Sequence, residues 1–137
     1  MLDTTEAGSR ADRRLREEGV AWLTTVRADG QPQSVPVWFL WDGETFLVYS
    51  RPDQQKLKNI AGNPRVGLHL NSSSRGGDVV SVEGEAGVAE DAPPANEVGE
   101  YVEKYRESIA RIDFNLEGFA RAYSAALRVT PERWQVW

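Results

Sequence analysis

Hydrophobic residues in this chain mostly follow the short-period pattern of β-strands. Six segments alternate apolar with polar residues or form brief apolar runs, and Gly, Pro, Asp or Ser bounds each one. The predicted strands are 20–28, 33–41, 45–50, 65–71, 78–90 and 123–130, and residues 133–137 are expected to end the chain in extended form. Asp-Gly turns separate the first three strands, which are therefore predicted to form an antiparallel meander.

Three other segments have the spacing of helices. The predicted helices are 4–18, stopped by Gly19, then 54–61, with Asp53 as its N-cap, and the amphipathic segment 95–112. Tight turns between strands, with helices inserted between some of them, predict a mainly β fold with helices, built as a six-stranded antiparallel barrel. Pro36 cannot donate to a strand ladder and predicts an edge or a bulge, and Gly84 or Gly87 predicts a bend.

The length of 137 residues suits one domain. We expect an N-terminal helix within 1–19 and a barrel with inserted helices over 20–137. There is no apolar stretch of the roughly 20 residues that a membrane span needs and no signal-peptide pattern, so we expect no membrane span and a cytoplasmic location.

Composition and charge narrow the function classes. The chain has no Cys and one His, which removes disulfides and thiolate chemistry and makes a metal site unexpected. A net charge of -5 argues against nucleic acid as a partner, because binding to phosphates needs a positive surface.

Residues 49–60 form a cationic segment in this acidic chain. Lys56 and Lys58 fall in the first turns of a predicted helix, where unpaired N–H groups favour an anion, and Ser50 supplies a hydroxyl just before it. Two lysines two positions apart do not face each other on a helix, so they can share an anion only beyond the helix end. The alternative is an ordinary solvated surface.

The run Val35-Pro36-Val37-Trp38-Phe39-Leu40-Trp41 does not alternate, so both of its faces are expected to meet a dry surface. One face is assigned to the core, and the other to a subunit contact, a cofactor ring or both. A phosphate-sized cationic patch beside a flat apolar wall suits a phosphorylated planar ring and points to a flavin-like cofactor. Since no catalytic residue stands out, a bound cofactor is expected to carry any chemistry.

These segments together resemble a known family. Five segments resemble, in their sequences and their order, those of the split β-barrel flavin and deazaflavin oxidoreductases, the pyridoxamine 5′-phosphate oxidase-like superfamily. These segments are 22–25, 29–32, 36–39, 56–60 and 63–66. The ending over 123–137 resembles the actinobacterial branch that uses the deazaflavin coenzyme F420.

The resemblance implies a homodimeric split barrel with cofactor sites between the subunits. It implies that Ser50, Lys56 and Lys58 hold a cofactor phosphate, that the backbone of Val35, Pro36, Val37 and Trp38 lies along the ring, and that Asn59 contributes. The four arginines of 4–18 form a hypothetical site for the glutamate tail of F420.

The function expected from this reasoning is hydride transfer between reduced F420 and an unidentified small unsaturated substrate. An FMN-dependent oxidase or reductase and a non-catalytic F420 carrier are the alternatives.

Overall fold

The computed structural model describes residues 2–137, which form one curled antiparallel sheet with four α-helices around it. The strands are β1 Ala21–Val26, β2 Pro32–Val37, β3 Leu40–Trp41, β4 Phe46–Ser50, β5 Arg65–His69, β6 Val80–Val88 and β7 Ala125–Val136. The helices are α1 Glu6–Glu17, α2 Gln55–Gly62, α3 Gly99–Arg111 and α4 Leu116–Ala122, with a 3-10 turn at Ala95–Glu97 before α3.

The order of strands across the sheet is β2-β1-β5-β6-β7-β4-β3. β2 and β3 are therefore at opposite edges of the sheet, although only two residues of chain separate them. Two residues span less than about 10 Å even when fully extended, so the sheet must curl until its edges meet. The edge position of β2 agrees with the edge predicted from Pro36, which has no N–H to offer a further strand.

The sheet has seven strands, so the prediction of six is wrong. The predicted strand 33–41 is divided into β2 and β3 because the backbone of Phe39 leaves the ladder between them. Its N–H donates to the Tyr105 hydroxyl at 2.8 Å, and its carbonyl accepts from Lys104 Nζ at 2.8 Å. Side chains of α3 thus satisfy the backbone groups that would need strand partners in an unbroken strand.

The pairing of β6 with β7 contains an irregularity at Gly84. A Cβ built on Gly84 would lie 2.2 Å from the carbonyl oxygen of Thr130, so the two strands could not approach this closely with any other residue. The register shift lies at Gly84, one of the two positions at which a bend was predicted, and the residue without a partner is Glu132 on β7. β7 continues through this bulge, so the predicted last strand and the extended C-terminal segment are one strand of 12 residues.

β4 is buried on both faces and separates two apolar cores. Phe46 and Val48 point into the interior of the curled sheet, whereas Leu47 and Tyr49 pack against the layer formed by α3 and α4. The second core exists because α3 carries an apolar stripe and α4 adds Phe119.

α4 was not predicted, and the helices differ from prediction at their ends. α1 starts after Thr5, whose hydroxyl caps it by accepting from the Gly8 N–H, and it ends two residues before Gly19. Within residues 2–137, no helix is long and apolar enough to cross a membrane. The division into one domain and the cytoplasmic location stay predictions.

Candidate functional site

A cleft of about 380 Å³ lies where the β2–β3 connection, the end of β4, the start of α2 and the α3–α4 layer come together. Its lining residues are Pro36, Val37, Trp38, Tyr49, Ser50, Arg51, Gln54, Lys56, Tyr101, Ile112, Phe119 and Tyr123. The volume is at the lower end of the range typical of small-molecule sites, about 300–1,000 Å³.

One wall of the cleft is aromatic. The Trp38 indole stacks on the Tyr105 ring with centroids 4.9 Å apart and an interplanar angle of 7°, and Phe119 lies at 5.7 Å from it. Phe119 in turn stacks on Tyr123 at 4.4 Å. At Trp38 the outer side of the run 35–41 meets the α3–α4 layer of the same chain, whereas Val35 and Pro36 are exposed, so the expected dry outer surface is present over only part of the run. The wall offers flat apolar faces suited to a planar ring.

The other end of the cleft is cationic. Arg51 lies over the Tyr123 ring, with its guanidinium carbon 4.9 Å from the centroid. Lys56, in the first turn of α2, also lines the cleft. No carboxylate of residues 2–137 is within ion-pair distance of either cation. No Asp or Glu is among the described residues that line the cleft. The cationic end therefore suits an anionic group such as a phosphate.

The start of α2 increases this positive character. The N-cap is Gln54 and makes no side-chain capping bond, so the prediction of Asp53 as N-cap is wrong. The helix begins one residue later than predicted, and its first turn has no acidic residue. Burial lowers the pKa of the Lys56 ammonium. An anion at this end would compensate both the uncapped N–H groups and the partly desolvated ammonium.

Ser50 and Asn59 are the buried polar residues next to this end of the cleft. Ser50 is 2% exposed, and its hydroxyl donates to the Arg51 carbonyl at 2.9 Å. The Asn59 amide donates to Thr25 Oγ1 at 2.9 Å and to Gln33 Oε1 at 3.0 Å. These bonds fix α2 to β1 and β2, and so position Lys56.

The structure brings five of the predicted cofactor residues to the cleft and leaves three away from its lining. The residues in the lining are Pro36, Val37, Trp38, Ser50 and Lys56. Val35 and Lys58 are exposed, and Asn59 lies in the network described above. The separation of Lys56 from Lys58 follows from helix geometry, because residues two apart point to different sides.

Several lining residues were missed, above all Tyr101, Phe119 and Tyr123. The last two belong to α4 or its end, and the signal for α4 was present. Asn115 is a favourable N-cap and accepts from the Gly118 N–H at 2.7 Å. Leu116, Phe119 and Ala120 then follow at helical spacing.

The N-terminal arginines are mostly occupied within the fold. Arg16 pairs with Asp12, and Arg10 lies near Asp78. Arg14 pairs with Glu18 and donates to the backbone of Asn71. These partners weaken the hypothesis that α1 binds a glutamate tail.

The curled sheet, with its edges brought together and a cleft beside a cationic helix start, has the architecture of a split β-barrel. The chain belongs to the pyridoxamine 5′-phosphate oxidase family, which matches it over residues 9–137.

Relatives support the F420 branch of this family. The chain is 34% identical over 106 residues to the F420H(2)-dependent biliverdin reductase of Mycobacterium tuberculosis (strain CDC 1551 / Oshkosh), covering 75% of each protein. It resembles a solved F420 reductase with a TM-score of 0.64 and 27% identity, over 90% of this chain and 94% of that one. General stress protein 26 from Bacillus anthracis strain Sterne shares the fold, with a TM-score of 0.72 and 22% identity over 93% and 91% of the two chains.

Proposed function

We propose that this protein is an F420-dependent oxidoreductase that works as a homodimer. The observation that carries the proposal is the cleft itself, where Arg51 and Lys56 lie at one end of an aromatic wall formed by Trp38, Phe119 and Tyr123. A phosphorylated planar ring matches both ends. The F420-dependent relative at 34% identity supports the deazaflavin as that ring.

Each part of the chain has a defined task in this proposal. Lys56, the start of α2 and Ser50 hold the phosphate, and the backbone of residues 35–38 lies along the ring. Asn59 holds α2 against the sheet and so keeps Lys56 in position. Lys58 adds positive charge to the cofactor site from outside the cleft. When bound, reduced F420 supplies a hydride to an unsaturated small molecule. The aromatic wall keeps water from the face of the ring that it covers, and solvent at the open side of the cleft supplies the proton that the product needs.

The homodimer is part of the proposal because apolar residues remain exposed around the cleft. Ile112 lines the cleft and is 43% exposed, and Val35 on the edge strand is 36% exposed. A second copy over this side would cover both residues and close the opening. Light scattering during size-exclusion chromatography tests it, and a monomer at working concentration would exclude it.

FMN is the second candidate cofactor, and the family match supports it because members of this family generally bind flavins. The cleft suits either cofactor, since flavins and deazaflavins share the planar ring and the phosphate. Titration of the purified protein with F420 and, separately, with FMN distinguishes the two. Biliverdin, the substrate named for the relative from Mycobacterium, is the first compound to test for turnover with reduced F420. Tight binding without turnover of any tested substrate would favour a carrier.

Two lysines of α2 provide a matched pair for this titration. Lys56→Ala removes the cation that lines the cleft, and we expect binding to weaken by about tenfold or more, the equivalent of one charge-assisted hydrogen bond. Lys58→Ala removes the same charge from the exposed surface and should weaken binding by no more than about threefold. Failure of the wild-type protein to bind either cofactor would overturn the proposed function.

A further inference from the structure

Tyr101 on α3 has a buried hydroxyl with no hydrogen-bond partner in residues 2–137. Its side chain is 0% exposed and packs among aromatic rings, with Tyr105 at 4.8 Å and Tyr49 at 5.0 Å between centroids. Both of those neighbours have satisfied hydroxyls, since Tyr49 donates to the Pro93 carbonyl and Tyr105 bonds to Phe39 and Gly19. An unpaired buried hydroxyl lowers stability, and a phenylalanine would fill the same space without that cost.

Tyr101 is also part of the cleft lining, and its ring centroid lies 6.3 Å from that of Phe119 in the aromatic wall. Burial, together with the neighbouring tyrosines, raises the pKa of its phenol, so the hydroxyl keeps its proton at any physiological pH. A protonated phenol without an internal partner is available as a donor. Side-chain adjustments of the ordinary size seen on binding would let a ligand in the cleft reach it.

We infer that the Tyr101 hydroxyl is a specificity-determining hydrogen-bond donor for a carbonyl oxygen of the planar ring bound in the cleft. The inference rests on the proposed function, because it takes the ligand to be a flavin or deazaflavin, whose rings carry such carbonyls. It also accounts for the phenol at this position, since a bound carbonyl would pair a group that is otherwise unsatisfied. Planar apolar ligands without an acceptor would leave the hydroxyl unpaired and would therefore bind more weakly than ligands of the same shape that carry a carbonyl at this position.

The test compares Tyr101→Phe with the wild-type full chain in stability and in ligand binding. Without ligand, the thermal midpoint of Tyr101→Phe should equal or exceed that of the wild type. The dissociation constant for whichever of F420 or FMN the wild type binds should rise about tenfold, as expected for loss of one hydrogen bond to a buried group. The absorption maximum of the bound ring should also shift, because a hydrogen bond to a ring carbonyl changes its spectrum.

Tyr105→Phe is the matched contrast on the same helix. It removes the same atom from a hydroxyl that has partners at Phe39 and Gly19, so it should lower the thermal midpoint. If Tyr101→Phe lowers the midpoint as much, its hydroxyl has a partner within the fold and the inference is overturned.

The binding results separate this inference from the proposed function. If the wild type binds a ring ligand and Tyr101→Phe binds it with equal affinity and an unchanged spectrum, the inference fails and the proposed function stands. If the wild type binds neither F420 nor FMN, the proposed function fails, and the inference fails with it.

Discussion

The Tyr105 hydroxyl lies 2.8 Å from the backbone nitrogen of Phe39 and joins the helical layer to the connection between the two sheet edges. The same oxygen lies 2.8 Å from the Gly19 carbonyl, which precedes β1. The Tyr105 ring supports Trp38 by stacking. One side chain therefore satisfies the backbone where β2 passes into β3 and sets the position of the aromatic wall of the cleft.

Tyr105→Phe should destabilise the protein by about 1–3 kcal/mol, because it leaves the buried N–H of Phe39 without a partner and removes the bond to the Gly19 carbonyl. The measurement is urea unfolding followed by circular dichroism. Tyr49→Phe is the comparison, since it removes a single bond to the Pro93 carbonyl and should cost about 1 kcal/mol. Equal stability of Tyr105→Phe and wild type would mean that the Phe39 contact does not hold the connection.

Lys104 should make stability depend on pH. Burial lowers its pKa to about 8 in the folded protein, against 10.5 for an ordinary lysine. The unfolded state then binds more protons between these values, so the free energy of unfolding should rise with pH across this window. Allowing for the partial exposure of Lys104, we expect a rise of about 1 kcal/mol between about pH 8 and about pH 10.5.

Lys104→Met should remove this rise, and it also removes the ammonium that lies 3.9 Å from the centroid of the Phe39 ring while keeping a side chain of similar length. Lys58 is exposed, so Lys58→Met should keep the wild-type dependence of the free energy of unfolding on pH. The check is a series of urea unfolding curves across the pH window. A Lys104→Met slope identical to that of the wild type would assign the pH dependence to other groups.

The strand periodicity was sufficient to predict the β-rich fold and most strand positions. The apolar run 35–41 indicated the region of the aromatic wall, and the cationic segment indicated Lys56 beside it. What the pattern could not show is that Phe39 leaves the ladder, because its partners come from Tyr105 and Lys104, more than sixty positions away. A local pattern has no means of encoding so distant a backbone partner.

The missed parts of the site have a similar origin. α4 has 7 residues, so its N-cap and its one set of helically spaced apolar residues are a much shorter pattern than the one that identifies a longer helix. Tyr101 lies within the predicted amphipathic segment 95–112, and that pattern indicates only that its ring belongs to the core. Its unpaired hydroxyl becomes visible only when the neighbouring rings are in position.

Gly84→Ala should destabilise the protein by more than about 2 kcal/mol. The new Cβ would lie 2.2 Å from the Thr130 carbonyl oxygen and 3.1 Å from the Pro131 Cα, and both belong to backbone that the β6–β7 pairing holds in place. Gly87→Ala on the same strand is the control, since its Cβ would meet nothing within 4 Å. Thermal unfolding measures both variants, and similar midpoints for the two would contradict a tight approach at Gly84.

Asn59→Ala should reduce both stability and cofactor binding, although Asn59 does not line the cleft. The substitution leaves the buried Thr25 hydroxyl and the Gln33 amide without the donor that joins α2 to the sheet, at a cost of about 1–3 kcal/mol. Because those bonds position Lys56, affinity for F420 or FMN should fall even where the variant remains fully folded. Lys58→Ala, on the neighbouring exposed position of α2, should change stability by no more than about 0.5 kcal/mol.

The Asn59 experiment needs stability and binding measured on the same samples, well below the unfolding temperature. A loss of stability with unchanged affinity would show that Asn59 supports the fold and that α2 keeps Lys56 in place without it. A loss of affinity in Asn59→Ala that further substitution at Lys56 does not deepen would show that both residues act through the same anion site, as expected when neighbouring groups couple.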